Sequence, residues 1–120
     1  MNAELFREYC LKKPGASEHL PFDDKTLVFK VGGKMFALCD LEDFTGANLK
    51  CDPERAVDLR EQYDAITGGY HMNKKHWNTV SAWSDVDDDL FCRLIDHSYE
   101  LVKASLPKKE REKLSLFSNF

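Results

Sequence analysis

The feature that most narrows what this chain can fold into is a pair of glycines set between two β-rich runs. Thr26-Leu-Val-Phe-Lys-Val31 leads into Gly32-Gly33, and Lys34-Met-Phe-Ala-Leu-Cys-Asp-Leu41 leads out. A two-residue hairpin loop needs positive φ at its central positions, which glycine adopts without a steric penalty. The spacing predicts that Val31 faces Lys34, Phe29 faces Phe36 and Leu27 faces Leu38. Leu27, Phe29, Phe36 and Leu38 would then share one face, opposite Val28, Lys30, Met35 and Ala37. One face reads as core and the other as mixed.

Other elements are arranged around this hairpin. Leu5, Phe6, Tyr9 and Cys10 recur at helical spacing over residues 3–12, and Lys12-Lys13-Pro14-Gly15 ends that helix. Residues 16–25, with Pro21-Phe22-Asp23-Asp24, read as an irregular turn feeding the first strand. Residues 47–51 supply a third strand. Asp52 as N-cap and Pro53 at the first helical position open a second helix, which carries Ala56, Val57, Leu59, Arg60 and Tyr63 and is broken by Gly68-Gly69. Residues 70–83 lack a helical period: Thr79 to Trp83 alternates like a strand, and the residues before it read as a strand plus a turn. Ser84 with Asp87 fits a capping box for a last helix. The stripe of that helix is Leu90, Phe91, Leu94, Ile95, His97, Ser98, Leu101 and Val102, and Pro107 stops it. The predicted order is α-β(3)-α-β(2)-α: an α+β, two-layer domain over residues 1–106 with a mostly antiparallel sheet and helices on one face. Residues 107–120 are a tail, charged and then apolar.

At 120 residues the chain suits one domain, and 42% hydrophobic with 32% charged residues is ordinary for a globular protein. No apolar run approaches the ~20 residues that span a bilayer. Met1-Asn-Ala-Glu-Leu-Phe6 lacks the charged-then-apolar pattern of a signal peptide. A cytoplasmic location and no membrane partner are expected. Cys10, Cys39, Cys51 and Cys92 form no C-x-x-C pair and read as reduced, buried thiols.

Catalytic patterns fail one by one. There is no G-x-S-x-G elbow, and neither glycine pair sits in a phosphate-cradling framework. Asp96 and His97 are helical neighbours whose side chains diverge by ~100° and so cannot form a dyad. Asp85, Asp87, Asp89 and Asp96 fall at EF-hand positions, yet Leu90 stands where the loop needs glycine. His71 and His76 would lie on opposite faces of a regular strand, with no thiol or carboxylate near in sequence. The expectation is a non-enzymatic protein with no catalytic residue, cofactor or metal.

One run remains unexplained by packing alone. Gly69-Tyr-His-Met-Asn-Lys-Lys-His-Trp-Asn-Thr79 carries four ring side chains, two ammonium groups and two amides, and no carboxylate occurs from Ala65 to Ser84. The net charge is −4, so this basic island sits in a chain otherwise at −6. Lys74 and Lys75 suit phosphates, Asn73 and Asn78 suit base edges or backbone, and Tyr70, His71, His76 and Trp77 offer stacking faces. Two lysines and one protonated histidine neutralise about two or three phosphates, for a salt slope of about −2 to −3. The same run also suits a plain turn, with Trp77 and Tyr70 packed on the sheet and solvated lysines. A third reading is protein docking through Leu114, Leu116, Phe117 and Phe120, with the chain a monomer or a weak homodimer.

Several stretches together resemble the bacterial MmcQ/YjbR family of small cytoplasmic proteins. They are Lys13-Pro-Gly-Ala16, Pro21-Phe-Asp-Asp24, Thr26-Leu-Val-Phe-Lys-Val-Gly-Gly-Lys-Met-Phe-Ala37, Asn48-Leu-Lys-Cys-Asp-Pro-Glu-Arg55, Tyr70-His-Met-Asn-Lys-Lys-His-Trp-Asn-Thr79 and Leu94-Ile-Asp-His-Ser-Tyr99. The resemblance implies an α-β(3)-α-β(2)-α fold related to secretion chaperones and to the double-wing domain of a phage transcription factor. From that fold comes an expectation of DNA binding; no catalytic residue is implied. The distinctive motif falls on Tyr70 to Thr79, so the candidate nucleic-acid-binding residues are Tyr70, His71, Asn73, Lys74, Lys75, His76, Trp77 and Asn78. The alternative is a protein-interaction or chaperone-like module that binds no nucleic acid.

Overall fold

Asn2 starts the first helix by accepting the Leu5 N–H on its side chain at 2.9 Å, replacing a bond that a helix start otherwise lacks. The structure, a computed structural model, describes residues 1–117. Four helices, α1 (Ala3–Leu11), α2 (Pro53–Gln62), α3 (Asp88–Ala104) and α4 (Lys108–Phe117), accompany six strands. The strands are β1 (Ser17–His19), β2 (Thr26–Val31), β3 (Lys34–Asp40), β4 (Gly46–Lys50), β5 (Ile66–Gly68) and β6 (Trp77–Ser81). They form one antiparallel sheet in the order β1-β2-β3-β4-β6-β5. The α+β class and antiparallel sheet are as expected. Two elements are added: β1, inside residues read as an irregular turn, and α4, within residues read as a tail.

All four helices contribute to one core. Phe6 and Cys10 of α1, Ala56 and Leu59 of α2, Phe91, Leu94, Ile95, Tyr99 and Val102 of α3, and Leu114 of α4 pack against Leu27, Phe29, Val31, Leu49, Ile66 and Val80 of the sheet. Phe6 meets Phe29 and Phe91 edge-on, with centroids 5.6 and 6.0 Å apart, the arrangement that the ring quadrupoles favour. Burial raises the thiol pKa of Cys39 to about 12 and of Cys51 to about 11, so both are poor nucleophiles. A second, smaller cluster of Val28, Leu38 and Trp77, with Met35 and Met72 against it, lies on the other side of the sheet and contains no helical residue.

The hairpin turns at Gly32 (φ 57°) and Gly33 (φ 79°), both positive as its two-residue loop requires. Its register departs from the prediction after two pairs. Val31 faces Lys34 and Lys30 faces Met35, but Phe29 faces Ala37, Val28 faces Leu38 and Leu27 faces Cys39. Phe36 is an extra residue, a β-bulge that lets Phe36 and Ala37 both enter the core while Leu38 turns to the opposite face. A strict period of two cannot anticipate this.

The bulge also breaks the ladder between β3 and β4. Pairing runs Cys39–Ala47, Leu38–Asn48, Ala37–Leu49 and stops where Phe36 would meet Lys50. There the hydroxyl of Ser98, on α3, fills the gap: it accepts the Lys50 N–H at 2.9 Å and donates to the Phe36 carbonyl at 2.5 Å. Ser98 is fully buried. One side chain thus completes a sheet hydrogen bond and fastens the helix to the sheet.

Helix ends follow the sequence in one case and not in another. Asp52 caps α2 through the Arg55 N–H at 3.2 Å, with Pro53 behind it. The predicted Ser84 cap is replaced by Asp87, which accepts the Leu90 N–H at 2.8 Å. Asp85 instead reaches back to the Asp64 and Ala65 N–H groups, each at 2.9 Å. Those bonds, that to Ala65 foremost, hold its carboxyl below the usual range. Beyond α3, Leu106 fills the space a Cβ at Gly32 would occupy, and Leu114 does the same at Gly15. Leu114 is therefore part of the core; Leu116 is exposed, and the Phe117 side chain and Phe120 lie outside what is described.

Replacing Ser98 with alanine orphans a buried carbonyl and an amide together, and is expected to cost about 1–3 kcal/mol or more. Urea unfolding followed by circular dichroism measures it; a wild-type midpoint would show that the bridge is dispensable.

Candidate nucleic-acid interface

The distinctive run forms the turn between β5 and β6 and the strand after it. Asn73 organises the turn: its side chain accepts the Lys75 N–H at 2.9 Å, while its carbonyl accepts the His76 and Trp77 N–H groups at 3.2 and 3.0 Å. An asparagine bonding its own backbone two residues on is a common way to close such a loop. Gly69 must lack a side chain, because a Cβ there would stand 2.8 Å from Trp77 Cβ.

Tyr70 is gripped at both backbone groups. Its N–H donates to Thr79 Oγ1 at 2.9 Å and its carbonyl accepts Asn48 Nδ2 at 3.2 Å, and the Thr79 hydroxyl donates in turn to Asn48 Oδ1. The next residue, His71, has φ 58°. Among the described residues it is the one non-glycine in the left-handed region, which costs a side-chain-bearing residue about 1–2 kcal/mol. The two rings lie with centroids 4.0 Å apart, tilted by 50°, and the Tyr70 ring is 69% exposed.

The eight candidate residues therefore divide. Tyr70, His71, Asn73, Lys74 and Lys75 are exposed and His76 is half-buried. Trp77 and Asn78 are corrected: both are buried and turn to opposite sides of β6. Trp77 packs on Val28 and Leu38. Asn78 faces α2, accepting from Arg60 Nε at 2.8 Å and donating to the Ala56 carbonyl at 3.4 Å. Arg60 also donates from Nη2 to the Lys74 carbonyl, so one guanidinium ties α2, β6 and the turn together. Both side chains are thus engaged with partners inside the fold.

Lys74 Nζ donates to the Gly69 carbonyl at 3.2 Å, and among the described residues neither Lys74 nor Lys75 forms an ion pair. An open groove separates them from Glu54 and Asp58 on α2. On the other side, the turn leans over the helix-free sheet face, where Met72 covers the Trp77 cluster. Pairing places Ser17, His19, Thr26, Lys30, Asn48, Lys50, Thr67, Thr79 and Ser81 on that same face. Asp40 is its single carboxylate among strand residues. Lys30, Lys50 and Asn48 share this candidate face although the sequence reading missed them; their alternation with buried neighbours was the available signal. Arg60 had none, since it acts across 18 residues of chain.

Asp96 and His97, neighbours on α3, each have structural partners. Asp96 accepts the Tyr9 hydroxyl at 2.7 Å and an ion pair from Lys13, and His97 Nε2 accepts the Asp52 N–H at 3.1 Å. Burial first, and then the Arg55 charge, holds the His97 imidazole below its ordinary pKa.

A two-layer α+β domain with one helix-covered face, one open face and a ring-bearing turn at the β5–β6 edge defines a recognisable class of small proteins. Within it, this chain belongs to the YjbR family, whose sequence profile matches residues 11–101. It is 35% identical to the uncharacterised protein YbdF of Escherichia coli O157:H7 over 112 residues, covering 92% of each chain. It is 34% identical to the uncharacterised protein YjbR of Escherichia coli K12 over 108 residues, covering 89% of this chain and 92% of that one. The crystal structure of a Deinococcus radiodurans protein with a DUF419 domain superposes with a TM-score of 0.88 at 41% identity, over 95% of this chain and 88% of that one. A Pseudomonas syringae protein superposes with a TM-score of 0.71 at 27% identity, over 85% and 99% of the two chains. None of these names states a reaction. No helix among the described residues is long and apolar enough to cross a membrane.

Substituting Arg60 with methionine keeps most of the stem and removes the charge-assisted bonds. A loss of about 1.5–3 kcal/mol is expected, with faster amide exchange confined to residues 72–78. Uniform protection across that segment would mean the turn holds itself.

Proposed function

We propose that this protein binds nucleic acid with modest affinity, using the 70–76 turn and the helix-free sheet face beneath it. The observation that carries this reading is the separation of charge. The chain is acidic overall, yet the strand positions of this face hold Lys30, Lys50 and His19 against Asp40 alone. The turn at its edge adds Lys74 and Lys75, which line a groove with Glu54 and Asp58 of α2 and form no ion pair among the described residues. Phosphates supply the complementary charge, and exposed rings beside lysines are the usual partners of a nucleic-acid strand. Four lysines neutralise about four phosphates, so log Kd should change with log salt by about 3–4 per decade.

Fluorescence anisotropy with a labelled oligonucleotide pool, single- and double-stranded, tests the reading at low and moderate salt. The Lys74→Glu, Lys75→Glu double variant should lose at least tenfold in affinity; binding that is indifferent to both the charge reversal and salt would remove the proposal.

A second reading, protein docking, is favoured by Leu20, Phe22 and Leu41, which are 49, 66 and 42% exposed in two loops joined by the Leu41 N–H to Lys25 carbonyl bond. If that patch pairs copies of the chain, light scattering should show a dimer that Phe22→Ser dissociates. A monomeric mass at high concentration counts against self-association there.

A further inference from the structure

Resting on the nucleic-acid reading above, we propose that the ligand of this surface is single-stranded DNA, lying across the strands of the open face with an unpaired base stacked on the Tyr70–His71 ring pair.

Three observations separate a single strand from a duplex. First, every helix of the described chain packs into the core on the far side of the sheet. No helix is left to enter a major groove, the element by which many duplex readers work. Second, Tyr70 and His71 present two exposed rings side by side at the edge of the surface. Tyr70 is 69% exposed, its backbone is clamped at both ends, and the His71 ring sits 4.0 Å away. A base offers its flat face to such a ring pair only when it is unpaired.

Third, the charge is sparse and spread out. Lys30 on β2 and Lys50 on β4 are two strands apart, about 10 Å at the usual strand spacing. Lys75 stands on the turn between β5 and β6, at the edge of the face on the side of α2. Scattered ammonium groups along a flat path suit a flexible backbone that can bend to each. A duplex presents a denser, rigid row of phosphates that this surface does not match. The choice of DNA over RNA follows from the polar groups between the lysines. Asn48 and Thr79 are bonded to each other and to the Tyr70 backbone. They are poorly placed to read a 2′-hydroxyl, the group by which proteins select RNA.

His71 adds an internal signature. Its left-handed backbone is a conformation that glycine adopts freely. Strain kept at one position is often tied to function, and here it holds the imidazole beside the tyrosine ring. His71→Gly therefore should leave the unfolding midpoint unchanged or raise it while weakening the ligand, which separates binding from folding.

The experiment is anisotropy titration of the full chain with fluorescein-labelled dT12, a 12-base-pair DNA duplex and rU12, at one fixed low salt concentration. The expected result is dT12 bound at least fivefold tighter than the duplex and no weaker than rU12. Tyr70→Ala should lose about 5- to 100-fold for dT12, Tyr70→Phe should retain it, and His71→Gly should lose affinity at unaltered stability. Duplex bound as well as dT12 or better overturns the single-strand assignment and leaves the broader nucleic-acid reading in place. Tighter rU12 overturns the choice of DNA. Unchanged dT12 affinity in Tyr70→Ala overturns the stacking site. No binding of any of the three removes this proposal together with the reading it rests on.

Discussion

The Ser98 hydroxyl is the point on which the two layers of this protein depend. The bulge at Phe36 puts two consecutive side chains into the core, and the result is an open rung between β3 and β4. A gap in the middle of a sheet exposes a donor and an acceptor that the interior cannot solvate. Ser98 meets both from the helix above. An extra core aromatic is thereby gained without a broken sheet, and the long helix is set in one register over the central strands. Most of the remaining contacts of α3 follow from that placement: Phe36 against Tyr99 at 5.5 Å, and the Tyr99 hydroxyl donating to the Pro14 carbonyl at 2.5 Å.

The same bulge sorts the sheet into two unlike faces. It moves Leu38 out of the core, where it joins Val28 and Trp77 to make a small apolar floor with no helix on it. That floor anchors Met72, and through it the turn that follows β5. Around the floor lie amides, hydroxyls and lysines, while carboxylates concentrate on helix starts and loops: Asp52 and Asp87 cap helices and Asp88 and Asp89 lie in a first turn, where the backbone dipole favours them. Helix capping and surface charge are usually separate matters. Here the first arranges the second, because acids drawn to helix ends are acids kept off the open face.

Much of the fold could be read from the chain alone, for reasons that can be named. The Gly32-Gly33 turn, the Asp52-Pro53 helix start and the α3 stripe are local signals with one physical solution each. What escaped was non-local or silent. The bulge left no mark in the alternation around Phe36. Ser17 to His19 is a three-residue edge strand of polar residues, with no periodic signal to find. Ser84 satisfied a capping pattern, but Asp85 is drawn to the amides of Asp64 and Ala65, and the helix begins at the next available acid. In the candidate site the orientation of two side chains escaped the sequence. Trp77 and Asn78 read as recognition residues because a ring and an amide usually are. Whether they face outward depends on Val28, Leu38 and Arg60, which lie far away in sequence.

The small corner where Leu114 rests on Gly15 has a consequence for how the molecule is made. Gly15 follows the first helix, whereas Leu114 comes from the last. This corner therefore closes a loop of about 100 residues, and its chain-entropy cost is met only when the two ends of the fold come together.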